Sequence, residues 1–175
     1  IWNNNDRYVS SYLEAFPGYY HTGDGGYTDD DGYIYITGRT DDVINVSGHR
    51  LSTGEMEEVV SAHPAVAECA VIGMNDELKG QLPVGLIVLK AGEEIEEAEI
   101  EAELVQMVRE QVGALACFRR ALVVQRLPKT RSGKILRAIL RKIAAQEEYK
   151  MPSTIDDETI LPEITALMAD AGMTK

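Results

Sequence analysis

The chain lacks a basic excess. Its 175 residues carry 29 Asp and Glu against 17 Lys and Arg, a net charge of −12. General nucleic-acid binding needs a basic footprint, so that class is excluded, and the acidic balance suits a soluble cytosolic protein. Long apolar runs are missing as well: nowhere do about 18 apolar residues follow one another, which excludes a membrane-spanning helix. Cysteine is scarce. Cys69 and Cys117 stand alone among apolar neighbours, with no CxxC pair and no Cys/His cluster at zinc spacing, and read as buried, reduced thiols. The opening residues, Ile1-Trp2-Asn3-Asn4-Asn5-Asp6, resemble no targeting signal and lack an initiator methionine, the pattern expected of a chain that begins inside a longer protein. No internal repeat is present, and the glutamates at 93–103 read as a solvated loop and helix face.

What is present supports a packed core, since hydrophobic residues make up 45% of the chain. Residues 1–40 read as a helix over Tyr8 to Phe16, stopped by Pro17-Gly18, and then a β-hairpin. Gly26-Tyr27-Thr28 and Tyr33-Ile34-Tyr35-Ile36 flank Asp29-Asp30-Asp31-Gly32, and Asp-Gly between β-rich runs signals a turn. Such a piece has little core of its own and is expected to belong to a larger body. Residues 41–148 read as a small α+β domain, a mixed sheet with flanking helices in the order β-α-β-β-α-β-α. Its expected strands are Val43–Val46, Glu68–Met74, Pro83–Lys90 and Leu122–Gln125; its expected helices run from Gly54 to His63, Glu97 to Val112 and Lys134 to Ala145. Residues 149–175 read as an extension carrying one helix, from Leu161 to Ala171.

Charge is distributed unevenly. Residues 111–146 hold no Asp or Glu and nine Lys or Arg. A basic segment on an acidic chain fits either a specific anionic ligand, such as the phosphates of a nucleotide or of coenzyme A, or a basic face paired to the Glu-rich helix. At its centre, Pro128-Lys129-Thr130-Arg131-Ser132-Gly133-Lys134-Ile135 reads as an exposed turn with Lys134 at a helix start, where the helix dipole disfavours a cation. Stability alone would not choose it. A phosphate-binding P-loop is excluded because Pro128 stands where its first glycine is required. Two further turns carry chemistry. Asp24, beside Gly23, suits either ribose hydroxyls or a turn cap. Arg39, in Thr37-Gly38-Arg39-Thr40-Asp41-Asp42, suits either a phosphate or a surface Arg-Asp pair. His63, before Pro64, reads as a helix C-terminal cap.

Five segments in this order resemble the adenylate-forming acyl-CoA synthetases: Tyr20-His21-Thr22-Gly23-Asp24, Asp31-Gly32-Tyr33, Gly38-Arg39-Thr40-Asp41-Asp42-Val43-Ile44, Ser47-Gly48-His49-Arg50-Leu51 and Pro128 through Lys134. The resemblance covers Tyr20 to Lys142. It implies the end of a large N-terminal adenylation domain (1–40), a mobile C-terminal lid (41–148) and an extension (149–175). It implies an AMP-forming acid-thiol ligase: a short-chain carboxylate and Mg2+-ATP give an acyl-adenylate, which the thiol of coenzyme A then cleaves, the lid rotating between the steps. By that likeness Lys134 is catalytic, reaching the acyl carboxylate and α-phosphate. Asp24, Arg39 and Arg50 bind ATP or AMP, Ser47, Gly48 and Arg109 bind coenzyme A, and Asp41 is the hinge. Residues matching Ser61, His63 and Val66 hold a structural cation, partly through backbone carbonyls. The tail Met151-Pro152-Ser153-Thr154-Ile155-Asp156-Asp157 looks more like propionate- than acetate-CoA ligases. The implied partners are the N-terminal domain of the same polypeptide and a lysine acetyltransferase and deacetylase acting on Lys134. Two other readings stay open: a stand-alone module that binds coenzyme A or a nucleotide, and a peptide-synthetase adenylation domain.

Overall fold

A carboxylate organises the hairpin turn of the computed structural model, which describes residues 2–174. Asp29 Oδ1 accepts the N–H groups of Asp31 (3.1 Å) and Tyr33 (2.9 Å), and Gly32 takes φ +86°, a left-handed conformation that glycine adopts without a Cβ clash. The turn joins β1 (Asp24–Thr28) and β2 (Ile34–Arg39), and Tyr27 stacks on Tyr35 with ring centroids 5.0 Å apart. The preceding α1 (Asn5–Tyr12) begins earlier than its periodicity predicts, because Asn4 caps it by accepting the Arg7 N–H, and it ends sooner, at a C-cap on Leu13. The chain divides into two compact units, Ile1–Asp41 and Asp42–Lys175. Among the described residues of the first, no apolar side chain is fully buried. Residues 1 and 175, the outer limits of the expected division, lie outside the described residues.

The second unit is an α+β fold, as expected. It contains β3 (Val43–Val46), β4 (His49–Ser52), α2 (Thr53–Ser61), β5 (Val66–Asp76), β6 (Gly80–Leu89), α3 (Glu97–Gln111), β7 (Arg120–Val123), α4 (Arg137–Ala144) and α5 (Ile160–Asp170). Strands β4, β3, β6 and β5 lie in that order, all antiparallel, and β7 joins β6 in parallel. The parallel pair needs a long crossover, which α3 supplies. Strand β4 was not expected. It exists because Ser47 and Gly48 both take positive φ (+50° and +87°), the signature of a two-residue type I′ turn that pairs the strands on either side.

Alternation along the central strands builds two cores, one on each face. Ala70, Ile72, Val84 and Leu86 meet α4 and α5 through Leu140, Ile143, Leu161, Ile164 and Met168. Val71 and Ile87 meet α2 and α3 through Met56, Val60, Ile100, Leu104 and Val108. The residues beyond 149 extend the sequence but not the outline of the domain, for Ile155, Ile160, Leu161, Ile164, Met168 and Met173 are all buried in the first core. Arg126 ties this tail down by bonding Asp157, Thr159 and Glu163. The Thr159 hydroxyl and N–H, followed by the Arg126 guanidinium, hold the Asp157 carboxyl down at about 2. Both cysteines are free and half-buried; burial first, and then the Glu57 charge, pushes the Cys69 thiol up to about 11.

Helix α4 starts three residues later than the sequence predicts. Lys134 cannot enter its ladder, because both of its backbone groups are committed to Thr130: its N–H donates to Thr130 Oγ1 (3.1 Å) and its carbonyl accepts the Thr130 N–H (2.8 Å). Lys134 therefore opposes no helix dipole; it projects from a closed loop.

Candidate active site

In the first unit, the sequence brings Asp24, Arg39 and Asp41 together. Arg39 spans both carboxylates, with Nε 3.0 Å from Asp41 Oδ1 and one terminal nitrogen 3.3 Å from Asp24 Oδ1; that nitrogen also donates to the Thr22 carbonyl at 2.9 Å. The Asp41 hydrogen bond, above all, raises the Arg39 pKa further, so the guanidinium is permanently charged. Gly23 is favoured by its φ of +77°, and a Cβ there would sit 2.7 Å from the Arg39 guanidinium, which would have to shift. All three charged groups are half exposed. The arrangement is a preset pair of anionic and cationic groups at the surface, with the surface Arg-Asp pairing realised and the guanidinium still reachable.

In the second unit, three local structures carry the remaining expected residues. The first is the turn of Ser47 and Gly48, followed on β4 by the exposed Arg50. The Ser47 N–H donates to the Lys79 carbonyl (2.8 Å), which fastens this turn to the one joining β5 and β6. The second is a cleft of about 250 Å³ at the end of α3, lined by Arg109, Arg119, Gly113, Cys117 and Phe118. Lys79 links the two, since its ammonium lies 3.0 Å from Cys117 Sγ. Nothing in the sequence singled out Lys79; only the pairing of Val46 with Gly80 brings it there.

The third is the Lys134 loop. Lys129 pairs across it with Ile135, and Gly133, at φ +83°, donates its N–H to the Thr130 carbonyl (2.8 Å). The basic segment turns out to be mostly neutralised. Arg120 meets Glu101, Arg126 meets Asp157 and Glu163, Lys129 meets Glu68, Arg137 meets Glu57 and Arg141 meets Asp42. Only Glu101 of these partners comes from the Glu-rich helix α3, so the paired-face reading holds for one residue. Lys142 makes no ion pair either, but its ammonium donates to the Glu148 carbonyl (3.4 Å), whereas Arg119, Arg131 and Lys134 are exposed and have no side-chain partner among the described residues. The free cations that could meet an incoming anion are thus these three, with Lys134 on the most constrained backbone.

Sequence reasoning missed Glu57. Its carboxylate forks onto Arg137 (2.9 and 2.7 Å) and also accepts the Val71 N–H (2.8 Å), tying α2, β5 and the first residue of α4 together. The signal was available in an arginine placed three residues after Lys134, but its partner lies eighty positions upstream.

His63 does not offer its ring to a metal. Nδ1 accepts the Ala65 N–H (3.1 Å), so Nε2 carries the proton and donates it to Glu103 (2.7 Å). The Ser61 hydroxyl donates to the Glu58 carbonyl, and the His63 carbonyl accepts the Val66 N–H. Among the described residues no group of three or more His, Cys, Asp or Glu could hold a metal ion. No helix in them is long and apolar enough to cross a membrane.

Residues 55–134 match the family described as AMP-binding enzyme C-terminal domain. Residues 55–134 carry the C-terminal domain of the AMP-binding enzymes. It is 54% identical to acyl-CoA synthetase short-chain family member B, mitochondrial, of Dictyostelium discoideum, over 94% of this chain and 24% of that one. It is 45% identical to the human acyl-CoA synthetase short-chain family member 3, mitochondrial, over 98% of this chain and 25% of that one. Among solved structures, the Brucella canis acyl-CoA synthetase is 41% identical with a TM-score of 0.56, covering 72% of this chain and 23% of that chain. An anthranilate CoA ligase holding anthranoyl-AMP is 37% identical with a TM-score of 0.66, covering 81% and 27%. The chain spans about a quarter of the length of these relatives, and its alignment with them confirms the resemblance drawn from the five motifs.

Proposed function

We propose that this chain works as the C-terminal lid of an AMP-forming short-chain acyl-CoA synthetase whose acid is propionate. One observation carries the reading: in a basic segment where most cations are already held, Lys134 alone among the described residues combines an ammonium that has neither ion pair nor hydrogen bond with a backbone bonded on both sides. A pre-positioned cation stabilises the charge that develops as a carboxylate attacks the α-phosphorus, because no reorganisation is needed at the moment of reaction. Lys134 is the catalytic residue of the adenylation step. Asp24 takes the ribose hydroxyls, while Arg39 and Arg50 take phosphate; magnesium enters on the ATP substrate. The Ser47-Gly48 turn and Arg109 hold coenzyme A in the second step, at the turn and cleft that Lys79 joins. The backbone at Asp41 is the hinge between residues 1–40 and the lid at 41–148, which the 149–175 extension follows, and the N-terminal domain of the longer polypeptide supplies the acyl pocket. A lysine acetyltransferase acting on Lys134 would silence the enzyme by neutralising its charge. A cytoplasmic location belongs to the same proposal.

The test is ATP–pyrophosphate exchange by the full-length protein with acetate, propionate, butyrate and a long-chain acid. Propionate is expected to give the highest kcat/KM. A clear preference for acetate would move the substrate to the second reading, which the 52% identity to acetyl-coenzyme A synthetase 1 of Saccharomyces cerevisiae favours. Exchange with no acid would reject the enzyme. A cation held by the carbonyls of Ser61, His63 and Val66 is the remaining element, now without the His63 ring. Elemental analysis after dialysis is expected to find one bound cation per chain, and a metal-free protein of unchanged melting temperature would remove that site.

A further inference from the structure

The loop that carries Lys134 is held by the end of the chain. The segment 152–156 turns against it and holds it through one antiparallel β-bridge: Thr130 bridges Ile155, the Arg131 N–H donates to the Thr154 carbonyl (2.9 Å), and the Asp156 N–H donates to the Lys129 carbonyl (2.9 Å). These bonds grip the residues on either side of Thr130. Thr130 in turn makes both backbone bonds of Lys134. The connection from tail to lysine is therefore continuous, through backbone groups and one hydroxyl. It is anchored at its far end as well, since Ile155 is buried in the core and Arg126 holds the residues just beyond. The family match ends at Lys134, so none of this tail lies within it.

We propose that residues 152–156 are a positioning clamp for Lys134, required to place its ammonium for adenylation and dispensable for thioester formation. The physical reason is the intolerance of charge stabilisation to misplacement: an error of about 1 Å can cost about a hundredfold in rate. A loop fixed only by its own turn bonds would let Lys134 sample that range. The bridge and its two flanking hydrogen bonds remove the freedom without adding any group that touches substrate. The thioester step uses the Ser47-Gly48 turn and the Arg109 cleft, and among the described residues neither is hydrogen-bonded to residues 152–156.

The proposal rests on reading Lys134 as the adenylation lysine, and the experiment separates the two. In the full-length protein, Asp156→Pro removes the N–H that bonds Lys129. Arg126→Gln loosens the same segment from an exposed position should the first variant fold poorly. Thr130→Val breaks the hydroxyl link to Lys134, and Thr130→Ser restores it. Amide hydrogen exchange at residues 130–134 is expected to accelerate about tenfold or more in Asp156→Pro, with β5 and β6 unchanged. Pyrophosphate exchange is expected to fall about tenfold or more in kcat, while thioester formation from preformed acyl-adenylate stays within about twofold. Thr130→Ser is expected to recover the rate that Thr130→Val loses. Unchanged loop protection, or an equal fall in both half-reactions, would overturn the clamp. If the wild type shows no acid-dependent exchange, the reading of Lys134 fails, and the hydrogen-exchange arm still decides whether the tail holds the loop.

Discussion

Lys134→Ala removes ATP–pyrophosphate exchange, by about a hundredfold to a thousandfold or more in kcat, while the melting temperature stays within about one degree of wild type. The two halves of this expectation have separate grounds. The ammonium is exposed and unpaired among the described residues, so its removal breaks no ion pair and opens no cavity. The backbone bonds to Thr130 survive, because alanine keeps the N–H and the carbonyl. Only the charge is lost. Lys134→Gln, which mimics acetylation, is expected to match alanine in rate, whereas Lys134→Arg retains charge with a different reach and is expected to fall between the two. Exchange that survives in Lys134→Ala would transfer the role to Arg131, the other unpaired cation of the loop.

Leu161→Ala, in the tail, lowers the stability of the chain by about 2–5 kcal/mol in urea unfolding. Leu161 is fully buried in the core that also holds Ile72, Leu86 and Leu140, so truncation leaves a cavity that packed neighbours close only in part. That cost is a large fraction of the stability of an ordinary domain. A loss under about 1 kcal/mol would mean that residues 149–175 lie on the domain rather than in it.

The regular elements were legible because their signals are local. Alternation marks β5 and β6, the Asp-Gly turn marks the hairpin, and the apolar spacing of Ile100, Leu104 and Val108 marks α3. The family was legible too, since its motifs are short and ordered. Three things were not. The tail's membership of the core could not be read because its partners, Ala70, Ile72 and Leu86, lie some ninety residues upstream, at a separation no periodicity reports. Strand β4 was hidden because Ser47, a residue that seldom takes positive φ, shares its turn with Gly48. The late start of α4 escaped because a threonine side chain, acting four residues ahead, outcompetes the helix for the Lys134 N–H. The candidate site divides in the same way: charged residues were identifiable by type, whereas Glu57 and Thr130, which hold them in place, were identifiable only by contact.

The Glu57–Arg137 fork has a consequence for solubility. Strand β5 runs for eleven residues at the outer side of its sheet, and a long unpaired strand margin is a template on which another chain can grow. Glu57 occupies the Val71 N–H on that margin and brings the Arg137 guanidinium against it, setting two opposite charges where an invading strand would have to lie. Removing the carboxylate would unmoor a helix and, in the same stroke, uncover a stretch of backbone competent for cross-β association, so loss of Glu57 would first be noticed as protein that precipitates rather than as protein that reacts slowly.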